Sequence, residues 1–366
     1  MSKPTHTIAY VIDGLSFGGA EKQVAILARS LPQRYRPIVI ALSDRIDPFG
    51  TDLQARGVNV VTLARRSHND PRRLLGLTRL LKASGVKIVH GWLDAANAYS
   101  YAAGRMLGKP VILSLRNELL RVTGGKAAVL AWMLRHADGV LVNSKAGREF
   151  LEASLRVAPE KISHIPNWVD PEKASVVREL PGDGSVPTIG FVGRFEQQKR
   201  LNLLIAAFKL VLDRLPGARL ILMGSGRERA ALVDQVADLG IKDNVEFEAP
   251  NPDVQQSMKT FHIFALASAF EGLPNAAIEA LAMGIPTVST RVGDVAGLIV
   301  EGQTGLFFEN DDPADMADTL TTALTDRSLL ESALRTGPPM VEENFGMDRA
   351  LGQLLPVYDR LTGLRK

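Results

Sequence analysis

The sequence holds no cysteine, which excludes disulfide staples and thiolate-bound metal. It is poor in aromatics, at 6%. No aromatic-rich basic patch accompanies its Lys and Arg, so nucleic acid is not an expected partner. Long apolar runs are missing: Ala127–Leu134 and Phe261–Ala269 fall well short of the roughly 20 residues that span a bilayer. The opening Met1-Ser-Lys-Pro4 runs almost at once into an apolar stretch with no signal-peptide pattern, and a cytoplasmic location is the simplest expectation. Neither the G-x-G-x-x-G fingerprint nor a Walker lysine is present, which removes two glycine-loop nucleotide motifs.

What is present is a globular composition, 46% hydrophobic and 23% charged over 366 residues. That length is too great for one ordinary core and suits two domains of similar size. The net charge of +3 hides an asymmetry of about +11 for residues 1–170 against about −8 for the remainder. Basic residues gather at Arg65, Arg66, Arg72, Arg73, Arg79 and Lys82. Such a half can dock on anionic lipid headgroups or attract an acidic substrate; equally, it can be a solvated face that helps two oppositely charged domains pack.

Short apolar strands alternate with helical stretches. Thr7–Asp13 reads as a strand, Gly14 to Gly19 as a glycine loop and Ala20–Ser30 as a helix, an arrangement that either cradles phosphate or makes a tight turn. Strands follow at 36–42, 58–63, 87–90, 111–115, 139–142 and 161–165, with helices including 71–84, 95–107, 126–135 and 145–154. The pattern lapses between Pro166 and Pro187, a linker. It restarts with strands at 188–192, 219–223, 245–248, 261–266, 287–290 and 306–308, and with helices at 201–215, 228–239, 253–259, 313–325 and 347–362. Repeated β-α alternation predicts parallel sheets covered on both faces. The expected domains are 1–170 and 171–345, with 346–366 a C-terminal helix packing back toward the first. Ligands in such sheets lie beyond the carboxyl ends of strands; Asp13, His90, Arg116, Asn117 and Asn143 fall at such ends, where each can also be an ordinary cap or hydrogen bond.

The most informative stretch is Glu271-Gly-Leu-Pro-Asn-Ala-Ala-Ile-Glu279. Pro274 suits the first helical position, so Glu271 belongs to a strand-to-helix loop and Glu279 to the helix. Eight residues of ideal helix rise about 12 Å, too far for two carboxylates to share a proton. Between them lies a helix N-terminus, which favours phosphate. The stretch suits a ligand with hydroxyls at both ends and phosphate in the middle, the shape of a nucleotide-sugar. Arg194 and Lys199, beyond strand 188–192, can both reach one pyrophosphate, or be two solvated cations. Gly224-Ser-Gly226 beyond the next strand permits close backbone approach.

The ordered set Gly18-Gly19-Ala20-Glu21, Gly193-Arg194 with Lys199, Gly224-Ser-Gly226, Glu271-x7-Glu279 and Gly302-x-Thr-Gly305 resembles retaining glycosyltransferase family 4. The most specific piece is residues 271–290. The resemblance implies a GT-B fold, two doubly wound Rossmann-like α/β domains with parallel sheets facing a central cleft. It implies a catalytic set in which Arg194 and Lys199 hold the donor diphosphate and Glu271 meets the sugar's distal hydroxyls. Donor binding would add Glu279 at the ribose, Asn275 and Ala276 at the phosphates or sugar, and the Gly18-Gly19 loop over the phosphates, with Gly193, Gly224 and Gly226 lining the site. The acceptor side would draw on Asp13, His90, Trp92, Arg116 and Asn117. A UDP-sugar is the family's commonest donor, and a glycan acceptor, polyprenyl-diphosphate-linked or otherwise lipid-linked, suits the basic first domain, with an expected peripheral place on the inner face of the cell membrane.

The sequence departs from the family pattern at Trp92, where a histidine is usual, at Arg200 and Asp294, where glycines are usual, and at Asn167-Trp-Val-Asp170. No Asp-x-Asp occurs, so no metal and no cofactor is expected, and the leaving diphosphate is met by cations and helix N-termini. The competing readings are a nucleotide-sugar epimerase or phosphorylase on a related scaffold, and a catalytically silent nucleotide-sugar-binding subunit.

Overall fold

The computed structural model describes residues 6–63, 72–116, 124–173, 176–182, 184–309 and 311–364. The chain divides into two compact units, Met1–Asn167 with Met347–Lys366, and Trp168–Gly346.

Unit 1 is built on strands β1 (His6–Ile12), β2 (Tyr35–Ala41), β3 (Asn59–Thr62), β4 (Ile88–Trp92), β5 (Val111–Leu115), β6 (Gly139–Val142) and β7 (Ile162–His164), with helices α1 (Gly19–Ser30), α2 (Phe49–Ala55), α3 (Arg72–Ala83), α4 (Asp94–Met106), α5 (Gly124–His136) and α6 (Lys145–Ala153) between them. The sheet order is β3-β2-β1-β4-β5-β6-β7, and every pairing is parallel. β4, β5 and β6 are buried along their whole length, as strands covered on both faces must be. Separate apolar clusters, one around Val111, Leu134 and Val140 and one around Ile38, Leu77 and Val89, pack against this sheet.

Unit 2 repeats the plan with β8 (Thr188–Val192), β9 (Arg219–Met223), β10 (Val245–Glu248), β11 (Ile263–Leu266), β12 (Thr287–Ser289) and β13 (Gly305–Phe307). Their order is β10-β9-β8-β11-β12-β13, again all parallel. Helices α7 (Leu201–Arg214), α8 (Arg229–Asp238), α9 (Val254–Met258), α10 (Asn275–Ala282), α11 (Pro313–Thr325) and α12 (Arg327–Phe345) complete it. In each sheet the strand order reverses once, between β1 and β4 and between β8 and β11. In doubly wound sheets such a switch point opens a crevice at the carboxyl ends of the two strands.

The last helix, α13 (Met347–Thr362), belongs to unit 1. Its Tyr358 is fully buried, donates to the Tyr10 hydroxyl at 3.1 Å and bonds His90 Nδ1 at 2.8 Å. Its Asp359 accepts from the Tyr35 hydroxyl at 2.5 Å and pairs with Arg34 at 3.3 Å. Burial of the apolar side of α13, including Leu354 and Ala350, adds roughly 1.5–3 kcal/mol for each large side chain fully removed from water.

Unit 2 holds a second buried polar group behind its sheet. His262 Nδ1 accepts from the Thr188 N–H at 3.2 Å, and its Nε2 bonds the Ser185 hydroxyl at 2.9 Å. Burial, reinforced by the positive Arg178 nearby, pushes His262 down to about 4. Burial and the Arg116 charge likewise hold His90 well below the usual histidine range. Both imidazoles are neutral when folded, whereas in the unfolded chain they take up protons near pH 6.5. Their contribution is therefore complete above about pH 6.5 and is lost as pH falls from there toward 4. The melting temperature should drop between pH 7 and pH 5, and His262→Asn, which keeps an acceptor for Thr188, should flatten that drop; an unchanged slope would refute the assignment.

Candidate functional site

At the switch point of unit 2, the segments that leave β8 and β11 come together. The β8 segment is held by Gly193 N–H to the Met223 carbonyl at 3.0 Å and Phe195 N–H to the Ser225 carbonyl at 2.8 Å. It closes in a short 3-10 turn, Gln197–Lys199. The Gln198 carbonyl accepts from the Ala269 N–H at 2.8 Å, which ties this turn to the β11 segment. Lys199 Nζ forms an ion pair with Glu271 Oε1, both side chains being largely buried. Ser268, fully buried, donates to the same carboxylate oxygen at 2.6 Å. The Ser268 carbonyl in turn accepts from the Thr290 hydroxyl at 2.7 Å. Arg194 is exposed, and its guanidinium pairs with no carboxylate among the described residues.

Glycines make this convergence possible. A Cβ on Gly224 would lie 1.8 Å from the Gly193 carbonyl oxygen, and one on Gly226 would lie 2.2 Å from that of Phe195. The bare faces of Gly224 and Gly226 are thus turned to the β8 segment, whose backbone they allow to come close. Gly293, with φ +51°, packs on Glu271, where a Cβ would come within 1.9 Å of the carbonyl oxygen. The Asp294 N–H donates to the Gly272 carbonyl at 3.1 Å. The residue after Lys199 explains one departure from the family pattern: Arg200 has φ 50° and ψ 39°, a left-handed conformation that costs an L residue roughly 1–2 kcal/mol and glycine little. Arg200 is anchored there by Asp311 at 2.6 Å.

α10 begins at Asn275, with Pro274 as its extended N-cap residue. No side chain caps it, so the N–H groups of its first turn are not met by a capping side chain. Asn275, Ala276 and Glu279 are all partly exposed on this helix.

In unit 1, Asp13 follows β1 and is partly exposed, and Gly18 and Gly19 form the entry to α1. The Glu21 side chain lies over Gly18, its Oε2 2.0 Å from where a Cβ would sit. His90 is placed inside β4 rather than at its end, because the strand continues to Trp92. It is fully buried between Tyr358 and Ser114, whose hydroxyl is 2.7 Å from Nε2. Trp92 is buried too, beneath the Arg116 guanidinium at 4.4 Å from the ring centroid. Arg116 donates to Asn167 Oδ1 at 2.8 Å, and burial pushes it down to about 9. Asn143 donates to the same oxygen at 3.2 Å. Asn117 lies outside the described residues, as do Arg65 and Arg66. Of the remaining basic cluster, Arg72, Arg79 and Lys82 are exposed on α3. Arg73 instead turns inward, donating to the Leu63 carbonyl at 3.1 Å.

Ser268 and Thr290 carry no sequence motif of their own. For Ser268 the available signal is a lone hydroxyl beyond the carboxyl end of an apolar strand; Thr290 follows Thr287-Val-Ser289 and does not stand out. Among the described residues, no three or more His, Asp or Glu side chains converge as metal ligands do.

Residues 17–173 match the profile of Glycosyltransferase Family 4, and residues 186–326 match that of Glycosyl transferases group 1. The chain thus carries a Glycosyltransferase Family 4 domain followed by a Glycosyl transferases group 1 domain. Among its relatives is a 2-deoxystreptamine glucosyltransferase of Streptomyces kanamyceticus, 28% identical over 248 residues, which is 64% of each chain. Another is a lipopolysaccharide core biosynthesis mannosyltransferase of Rhizobium meliloti, 24% identical over 63% of this chain and 68% of that protein. The chain thus spans 64% of the length of the first of these curated relatives, and 57% of a D-inositol 3-phosphate glycosyltransferase of Corynebacterium urealyticum. In fold, the structure is similar to Anabaena HepE, solved in complex with UDP and glucose, with a TM-score of 0.82 at 18% identity over 96% of this chain and 99% of that one. The lipopolysaccharide outer core galactosyltransferase WaaB has a TM-score of 0.70 at 19% identity, over 97% and 99%. The family's GT-B fold, two Rossmann-like domains, is the fold of this chain.

Proposed function

We propose that the protein is a retaining glycosyltransferase that moves a hexose or N-acetylhexosamine from a nucleoside diphosphate sugar to a glycan acceptor. The observation that carries this reading is the meeting of Lys199 and Glu271 at the switch point of unit 2, with Arg194 on the same segment. A diphosphate needs cations, and a sugar needs a fixed acceptor of hydroxyl protons; the site offers both, beside the uncapped start of α10. UDP is the favoured base carrier, supported by the fold's likeness to a protein solved with UDP and glucose.

In this mechanism the bond from the anomeric carbon to the phosphate oxygen breaks as Arg194 and Lys199 stabilise the growing negative charge. The acceptor hydroxyl adds on the same face, and its proton passes to the departing phosphate oxygen, so configuration is retained without a protein nucleophile. No metal is needed in this scheme, because the two side chains supply the positive charge. Exposed Arg72, Arg79 and Lys82 on one face of α3 support an anionic, lipid-linked acceptor and a place on the cytoplasmic membrane surface. Among the described residues, no helix is long and apolar enough to cross a membrane.

A panel of nucleotide-sugars tests the donor. A ligand at a hundred times its Kd adds about 2.7 kcal/mol to folded stability, so UDP-sugars should raise the melting temperature and GDP- and ADP-sugars should not. Labelled sugar should then move only when an acceptor glycan is supplied. Isomerised donor without acceptor would establish an epimerase instead.

A further inference from the structure

Glu271 presents two carboxylate oxygens, and the hydrogen bonds given to it by the described residues fall on one of them. Lys199 and the Ser268 hydroxyl both bond Oε1, which leaves Oε2 open to a ligand. We propose that Ser268, steadied by Thr290, is a positioning residue that fixes the Glu271 carboxylate so that Oε2 receives a hydroxyl of the donor sugar; this rests on the nucleotide-sugar reading above.

The argument begins with the backbone. Gly293 packs against the Glu271 carbonyl, where even a Cβ would be only 1.9 Å away, and the Asp294 N–H holds the next residue's carbonyl. The main chain at Glu271 is thereby set, and what is left to orient is its side chain. Three rotatable bonds separate that carboxylate from the backbone, and each extra rotamer lowers the fraction competent to bind. Lys199 alone is a poor clamp, because an ammonium on a four-carbon stem tolerates many directions. It is also the group that a diphosphate would draw away. A serine hydroxyl has one proton to donate, and Ser268 gives it to Oε1 from a position with no solvent exposure. Its own backbone is held by Thr290, which is buried and anchored in turn by its N–H to the Leu266 carbonyl at 3.1 Å. When Lys199 turns to phosphate, Ser268 still holds Oε1.

The test compares UDP with UDP-glucose and UDP-N-acetylglucosamine by titration calorimetry on the full chain. Ser268→Ala should leave affinity for UDP within about twofold of wild type and weaken the bound UDP-sugar about tenfold, the size of one hydrogen bond to a charged group. Ser268→Thr, which keeps the hydroxyl, should recover most of that loss. In turnover, the alanine variant should raise KM for the donor more than it lowers kcat. Thr290→Val provides a second variant, with a loss of about threefold for the sugar and none for UDP. Equal losses for UDP and UDP-sugar, or no loss for either, would overturn the positioning role. A wild-type protein that binds neither ligand would overturn the donor reading itself, so the two failures are distinct.

Discussion

Replacing Arg194 and Lys199 together by alanine is expected to cut glycosyl transfer at least about a thousandfold while leaving both units folded. Removing one preorganised group that stabilises transition-state charge costs about a hundred- to a thousandfold in kcat, and here both cations go. Arg194→Ala is the cleaner single change, because the side chain is exposed and no described carboxylate depends on it. Lys199→Ala also takes the cation from a largely buried Glu271, so it should lower stability slightly as well as activity, with Ser268 remaining as the carboxylate's partner. Initial rates with saturating donor and acceptor, beside melting curves of each variant, separate the two effects. Near-normal turnover in the double variant would sink the proposed mechanism.

The second large effect concerns stability. Tyr358→Ala should destabilise unit 1 by about 4 kcal/mol or more, since truncating a buried aromatic costs about 3–5 kcal/mol. It also strands His90 and Tyr10, which both bond its hydroxyl, and a buried polar group left unpaired costs about 1–3 kcal/mol more. Tyr358→Phe keeps the ring and should lose only the second part. Urea unfolding of a Trp168→Phe background followed by tryptophan fluorescence reads this, because the remaining Trp92 and Trp132 both lie in unit 1 and Trp168 lies in unit 2. An alanine variant that unfolds at the wild-type urea concentration would show that α13 contributes nothing to that unit.

Much of this architecture is readable from residues alone, for a physical reason. Strands buried on both faces leave nearly uninterrupted apolar runs, and 111–115, 139–142, 188–192 and 219–223 are strands with the bounds expected of them; the edge strand 245–248 alternates instead, Val-Glu-Phe-Glu, and also keeps its expected bounds. The start of α10 is legible because proline before a run of alanines admits few other conformations. Two helices escape the same reasoning. α2 is short, and α12 runs through Gly337, Pro338 and Pro339, a triplet that local preference reads as a stop. Packing overrides that preference: Gly337 lies against the Leu281 carbonyl so closely that a Cβ would approach it to 2.6 Å.

At the site, charge and spacing pointed to Arg194, Lys199, Glu271 and Glu279, since ligand-binding groups must stand at strand ends. Which carboxylate Lys199 would meet, and that Ser268 would share its oxygen, depends on how β8 and β11 lie side by side. That is a long-range fact no local pattern carries. His90 shows the opposite error, in that two more residues of strand were enough to turn an expected rim position into an interior one. The bare faces of Gly224 and Gly226 were visible as small residues, yet their neighbour is the protein's own backbone.

One consequence follows from α13 belonging to unit 1. Unit 2 is an unbroken stretch, 168–346, whereas unit 1 is completed only by residues 347–366. A nascent chain emerges from its N-terminus, so everything in unit 2 is synthesised before Tyr358 exists to meet His90 or Asp359 to meet Tyr35. During translation unit 1 therefore lacks its closing helix until the whole of unit 2 has been made, and the domain that is begun first is the last to be complete.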